Sequence, residues 1–299
     1  MHIPVLLNEL IYYLNPKPGD VILDCTIGGG GHAEVILKAI GNEGKLIGID
    51  QDDGNINQLK EKKWENVDLI NGNFGDADWL LKNSGIAEID GAIFDLGLNS
   101  LQIDESGRGF TFQKDEPLLM TFKKETVTND LTAREIVNSW SEKEIADILF
   151  KYGEERFSRR IAKKIVEIRK KNPIITTFDL VEAIRMSVPV SYRNNRRTNC
   201  CTKTFPALRI AVNDELSILE KGLGRVWNLL KKDGRIVVIS FHSLEDRIVK
   251  NYFRNKSHAG FGKILTKKPI VPTDEENAIN PRARSSKLRA IEKATSSQT

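Results

Sequence analysis

The run DCTIGGGGH at residues 24–32, followed by an acid at Asp50, constrains the fold of this chain more than any other stretch. Val21-Ile22-Leu23 reads as a short buried strand. Four glycines then make a tight turn, and Ala33-Glu34-Val35-Ile36-Leu37 opens a helix. Residues 45–49 form a second apolar strand that ends in a carboxylate. This succession of strand, glycine loop, helix, strand and acid builds nucleotide-type cofactor sites. Glycine lets the backbone approach a ligand, and the first-turn N–H groups of the helix attract its negative end. Asp50 lies 22 residues beyond Gly28, where a carboxylate accepts hydrogen bonds from both hydroxyls of a ribose.

The unit by itself does not name the cofactor. Gly28, Gly30 and Ala33 satisfy the G-x-G-x-x-G/A pattern of nicotinamide dinucleotide sites. Asp24 tilts the reading toward S-adenosylmethionine. That ligand carries an ammonium and a sulfonium beside its carboxylate, so an acidic rim suits it, whereas the same rim repels a pyrophosphate. A nicotinamide-linked oxidoreductase keeps only the glycine coincidence.

With 299 residues, 40% of them hydrophobic and 29% charged, the chain holds one large domain and a smaller one. Its first residues lack the basic region and cleavage site of a signal peptide, and no apolar run reaches membrane-spanning length. Cys25, Cys200 and Cys201 make no disulfide framework and no CxxC pair, which fits a reducing cytoplasm. Four scattered histidines offer no metal-ligand spacing, so no metal is expected. Charge is segregated. Residues 1–150 carry 13 Lys/Arg against 26 Asp/Glu, and residues 151–299 carry 32 against 15. An acidic half beside a basic one suits an enzyme that acts on a polyanion.

Further apolar strands are expected at residues 67–70 and 89–94, with helices between them. Strands alternating with helices predict an α/β, Rossmann-like fold: a mostly parallel sheet covered by helices on both faces. Ligands of such sheets sit beyond the carboxyl ends of the strands, so the loops holding residues 28–32, Asp50, Phe74 and Asp95 should converge. From about residue 104 to 204 the strand rhythm gives way to helices at 132–138, 142–152, 155–171 and 178–186. The third carries Phe157, Ile161, Ile165 and Ile168 on one stripe and Arg156, Arg159, Arg160, Lys163 and Lys164 opposite. That basic side is either a solvated face or a footprint for a phosphate backbone. Residues 206–231 then read as one long helix, 235–241 as a fifth strand and 244–253 as a helix. Residues 256–280 read as an irregular loop and 286–291 as a last strand. His242, at a strand end, either touches substrate or caps the following helix. These patterns divide the chain into a cofactor domain at 1–103 and 205–299 and an inserted helical domain at 104–204.

Nearly the whole chain resembles the MraW family, the bacterial ribosomal RNA small subunit methyltransferases H. The carriers are HIPVLLNEL (2–10), DCTIGGGGH (24–32), GIDQD (48–52), DLGLNSLQID (95–104), RGFTF (108–112), YGEERFSRRIAKKIV (152–166), FPALRIAVNDEL (205–216), GRIVVISFHSLEDRIVK (234–250) and NPRARSSKLR (280–289). The resemblance implies a class I methyltransferase with an inserted helical domain. It implies methyl transfer from S-adenosylmethionine to the exocyclic N4 of a cytidine in 16S rRNA, at the decoding centre of the small ribosomal subunit. Its cofactor-site pattern falls here on Gly30, Gly31, His32, Asp50, Phe74, Asp95 and Gln102. The expected partner is 16S rRNA in the small subunit, with neither DNA nor a membrane involved.

Three stretches depart from the family pattern, all on the acceptor side. A usual Asp and Arg are Leu119 and Thr121, the first Ser of DLGVSS is Asn99, and Pro206 replaces a Gln after the altered residues 198–201. Cytidine N4 is a poor nucleophile because its lone pair is conjugated into the ring. An oxygen that holds an N4–H helps the nitrogen attack and then lose its proton. Asn99 is the candidate for that role, and an Asx turn that fixes its loop is the alternative. Phe110, Phe112 and Phe122 read either as a base-stacking set or as core. Two other functions remain open: an S-adenosylmethionine-binding ribosome-assembly factor with lost or altered catalysis, and a methyltransferase of another nucleic acid.

Overall fold

A computed structural model of the chain describes residues 4–97, 106–123, 130–194 and 199–294. In chain order its first elements are α1 (Leu7–Leu14), β1 (Val21–Asp24), α2 (Gly31–Ile40), β2 (Lys45–Asp50), α3 (Asp53–Lys60), β3 (Val67–Asn71), α4 (Ala77–Asn83) and β4 (Ile89–Asp95). Helices follow: α5 (Ala133–Ser139), α6 (Glu142–Gly153), α7 (Ser158–Arg169), α8 (Thr177–Ser187), α9 (Val190–Arg193) and α10 (Thr204–Asn213). The chain continues through α11 (Glu215–Leu229), β5 (Leu230–Ser240), α12 (Ser243–His258), β6 (Gly262–Ile264), α13 (Asp274–Ile279) and β7 (Lys287–Lys293). It divides into two compact units, residues 1–97 with 216–299 and residues 98–215.

The first unit is built on a seven-stranded sheet of order β3-β2-β1-β4-β5-β7-β6. Strands β1 to β5 run parallel, and β7 lies antiparallel between β5 and β6. Successive side chains of a strand point to opposite faces, so a strand apolar at every position must be covered on both sides. In β5, Ile236 and Val238 join a core with Leu23, Phe94 and the α11 residues Leu219, Leu223 and Val226. Val237 and Ile239 join the opposite core with Ile22, Ile93, Leu10 of α1 and Ile36 of α2. The fold is therefore α/β and Rossmann-like. The strand order reverses between β1 and β4, which is where sheets of this kind hold their ligands.

Two expectations need correction. Residues 206–231 are two helices. Asp214 takes the left-handed conformation at φ 48° and its N–H closes α10 on the carbonyl of Ile210. Aspartate is one of the few non-glycine residues that enter this region readily, so the break leaves no Gly or Pro in the sequence. The two stripes also serve different cores: Phe205, Ala207 and Leu208 pack among the helices of the second unit, whereas Leu219 and Leu223 pack on the sheet. The two compact units divide at 98 and 215. Residues 256–280 are also less irregular than they read. They contain β6, which pairs with β7, and α13, capped by Thr273.

The second unit packs α5 to α8 and α10 around Ile136, Ile145, Leu149, Ile161, Ile165, Leu180 and Ile184, and Phe110 and Phe112 lean on the same cluster. Thr132, Ser141 and Thr176 cap α5, α6 and α8 with their hydroxyl oxygens, each accepting an N–H of the first turn. Helix α7 has no such cap. Thr121 is buried, and its hydroxyl oxygen accepts the N–H of Lys123. Pro206 stands in the first turn of α10, where its missing N–H costs nothing.

Candidate functional site

Beyond β1 the chain remains pinned to the strands on either side. Cys25 N–H donates to the carbonyl of Ile93 at 2.9 Å, and Ile27 N–H donates to that of Ile49 at 3.0 Å. The loop then turns through Gly28 and Gly30, at φ +50° and +78°, into α2. A Cβ on Gly30 would lie 2.7 Å from the Trp64 ring and 2.8 Å from Leu59, and one on Gly31 would lie 2.7 Å from Pro4. Both glycines are thus demanded by what packs behind the loop. Gly29, by contrast, meets nothing within 4 Å. Gly30→Ala combines a left-handed backbone with a collision against two side chains. We expect it to cost about 2 kcal/mol of stability, read as a lowered urea midpoint. An unchanged midpoint would mean that the loop relaxes freely.

Asp50 ends β2 and ties the loop to it. Its Oδ2 accepts the N–H of Gly28 at 2.9 Å and the side-chain amide of Asn55 at 3.1 Å, and its Oδ1 accepts the N–H of Asp52 at 2.8 Å. Burial nevertheless pushes its carboxyl up to about 6. Asp95 ends β4, and its N–H donates to Thr26 Oγ1 at 2.7 Å. The buried ring of His32, in the first turn of α2, stands between two groups. Nδ1 is 3.5 Å from Asp95 Oδ2, and Nε2 is 3.0 Å from the carbonyl oxygen of Val5.

Asp24 completes the acidic set. It is 2% exposed, and its Oδ1 accepts the N–H of Thr26 at 3.1 Å. Burial raises its carboxyl to about 8, and repulsion from Asp95 and Asp50 adds to the rise. Burial, with help from Asp24, also holds the Cys25 thiol well above its usual range, so Cys25 is no nucleophile here.

Of the other expected residues, Phe74 opens a turn capped by Asn73. Its ring meets Phe94 edge to face at 5.4 Å, and a Cβ on Gly222 would lie 2.5 Å from it. Gln102 and Asn99 lie outside the described residues. His242 caps α12: its Nδ1 accepts the N–H of Glu245 at 3.3 Å, and Glu245 in turn accepts the N–H groups of Phe241 and His242. The site also contains groups that the sequence reading passed over, namely Thr26, Asn55 and the Val5 carbonyl. Only Thr26, inside the glycine motif, had a signal that could have found it.

A loop open at Gly29, with Asp50 and Asp95 at its edge and the buried Asp24 carboxyl beside them, selects a ligand that carries positive charge and hydroxyl donors, and disfavours a pyrophosphate. The sequence model of the MraW methylase family matches residues 1–294. This chain belongs to that family. The ribosomal RNA small subunit methyltransferase H of Clostridium botulinum (strain Kyoto / Type A2) is 47% identical over 309 residues, covering 98% of each chain. A protein of the same name from Kosmotoga olearia is 46% identical over 297 residues, 98% of this chain and 97% of that one. The one from Thermotoga neapolitana is 47% identical over 297 residues, 97% of this chain and 95% of that one. Among the described residues, no helix is long and apolar enough to cross a membrane.

Proposed function

We propose that this protein transfers a methyl group from S-adenosylmethionine to the exocyclic N4 of a cytidine in 16S rRNA, at the decoding centre of the small ribosomal subunit. The observation that carries this reading is the glycine loop with Asp24, Asp50 and Asp95 around it, in a chain of a methylase family. The relatives' names supply the substrate class, and the resemblance of the whole chain supplies the atom. A basic half with 32 Lys/Arg against 15 Asp/Glu agrees with a polyanionic partner.

The donor set fits the cofactor. Asp50 would take a ribose hydroxyl while holding Gly28, and the backbone around Gly30 and Gly31 would line the approach. His32 orients Asp95, and Phe74 and Gln102 belong to the set by their place in the family pattern. When bound, the cofactor supplies a methyl group already activated on a sulfonium. What remains for the chain is alignment and a fixed electrostatic setting, with water kept out. Carboxylates that feel one another repel like charge and favour a cation, which suits a methyl donor over its neutral product. On the acceptor side an oxygen must hold one N4–H of the cytidine and assist its loss, and we assign this to Asn99, which follows β4 in the sequence.

The test is mass mapping of modified cytidines in small-subunit RNA, with and without this protein. One N4-methyl mark is expected to depend on it. Identical maps, with S-adenosylhomocysteine still bound by the pure protein, would replace the proposal by the assembly-factor reading.

A further inference from the structure

The start of α7 carries a cluster that the methyl-transfer site does not use. The Arg156 guanidinium lies 4.7 Å from the ring centroid of Phe157 and 5.0 Å from that of Tyr192. The two rings meet edge to face at 4.9 Å. Arg160 approaches Phe157 at 5.8 Å. Both arginines are exposed, and both rings are half-buried.

Beneath them lies Glu155, which is fully buried. Its Oε1 accepts the N–H of Phe157 and its Oε2 accepts the hydroxyl of Tyr192, each at 2.8 Å. Burial and the neighbouring Glu155 push the Tyr192 phenol up to about 12, so it stays a donor at neutral pH. The buried carboxylate thus fixes both rings from below while the arginines lie over them from outside.

Among the described residues the charges of this cluster make no close ion pair: Arg156, Arg159, Arg160 and Lys163 have no carboxylate within ion-pair distance. Lys163 acts on Glu167 only from beyond that distance. Arg159 and Arg160 also stand in the first turn of α7, which holds no acid, where the helix dipole opposes cations. A merely solvated face needs neither the rings nor their anchor.

We propose that this stack is a docking platform for an unpaired nucleotide of RNA, whose base lies on the outer plane of the Arg156 guanidinium while Arg159, Arg160 and Lys163 hold the flanking phosphates. Phosphate contacts serve single strands and duplexes alike, whereas a flat cationic plane is useful only to a base whose face is open. The inference rests on the reading of the substrate as ribosomal RNA and adds which form of RNA the helical unit recognises.

The experiment titrates the full-length protein with a labelled short single-stranded RNA and with a short RNA duplex, over a series of salt concentrations. Arg156→Lys keeps the charge and removes the plane. It should weaken single-strand binding about tenfold and leave the duplex and the salt slope alone. The triple variant Arg159→Glu, Arg160→Glu, Lys163→Glu should weaken both and flatten the slope. Unchanged single-strand affinity in Arg156→Lys, or an equal loss on the duplex, overturns the platform. Methylation of small subunits by the unaltered protein separates the two proposals. Methylation with no effect of Arg156→Lys on binding overturns the platform alone, and a tenfold binding loss without methylation upholds the platform and overturns the assigned function.

Discussion

Replacing Asp24 by Asn should stabilise the protein at pH 8 by on the order of 3–5 kcal/mol and leave it nearly unchanged near pH 4. Burial lifts this carboxyl from its ordinary 3.8 to about 8. Between those values the folded chain keeps a proton that the unfolded chain releases. Stability from this group is therefore complete below about pH 4 and falls as pH rises through about 8. Asparagine cannot ionise, and its carbonyl oxygen still accepts the Thr26 N–H that Asp24 Oδ1 takes now. Asp50, raised to about 6, contributes a slope of the same sign between about pH 4 and pH 6 in both proteins. Urea midpoints measured at a series of pH values should diverge with rising pH, and two parallel curves would refute the assignment. A residue that weakens the fold at working pH is retained where function needs it. Above about pH 8, where Asp24 is ionised, the variant should accordingly lose part of its preference for S-adenosylmethionine over S-adenosylhomocysteine, because a neutral amide does not favour a sulfonium as a carboxylate does.

Much of the sheet was legible because its strands are short apolar runs that stop at glycines or acids. Asp24, Asp50 and Asp95 are legible for the same reason: each is the polar residue that ends such a run. What escaped depends on contacts between residues distant in the chain. Gly30 reads as freedom for a ligand, yet its missing Cβ is required by Trp64 and Leu59. The edge-to-face contact of Phe74 with Phe94 joins two strands' ends that the sequence does not bring together. Strand β6 has only three residues and exists because β7 offers it an edge. His242 could not be assigned from sequence, since its capping box uses an imidazole nitrogen where the usual pattern has a hydroxyl. The basic side of α7 could be read only as solvated or phosphate-facing. The buried Glu155 that anchors Tyr192 from below is visible only once the helices are packed.

Asp50→Ala is the variant with the largest expected effect on the cofactor, a loss of about a hundredfold in affinity for S-adenosylhomocysteine. The carboxylate does two things at once in the proposed site. It accepts the Gly28 N–H, which sets the loop, and it offers a ribose hydroxyl the lone pair that Asn55 and Asp52 leave free. Alanine removes both, and charge-assisted hydrogen bonds of this kind are worth more than neutral ones. The pH profile distinguishes this role from a merely structural one. Because burial holds the Asp50 carboxyl near 6, the free protein carries a proton there below that pH, and this proton must leave before the hydroxyl can be accepted. Affinity of the unaltered protein should fall as pH drops below about 6, approaching tenfold per unit. Asp50→Ala should lack that fall. Asp24 titrates near 8 in the unaltered protein and somewhat lower once the Asp50 charge is gone, so the fall below about pH 6, present in one curve and absent from the other, is what isolates Asp50. Calorimetric titration with S-adenosylhomocysteine between about pH 5 and pH 8 measures it, and two curves of the same shape would show that this carboxylate never meets the ribose.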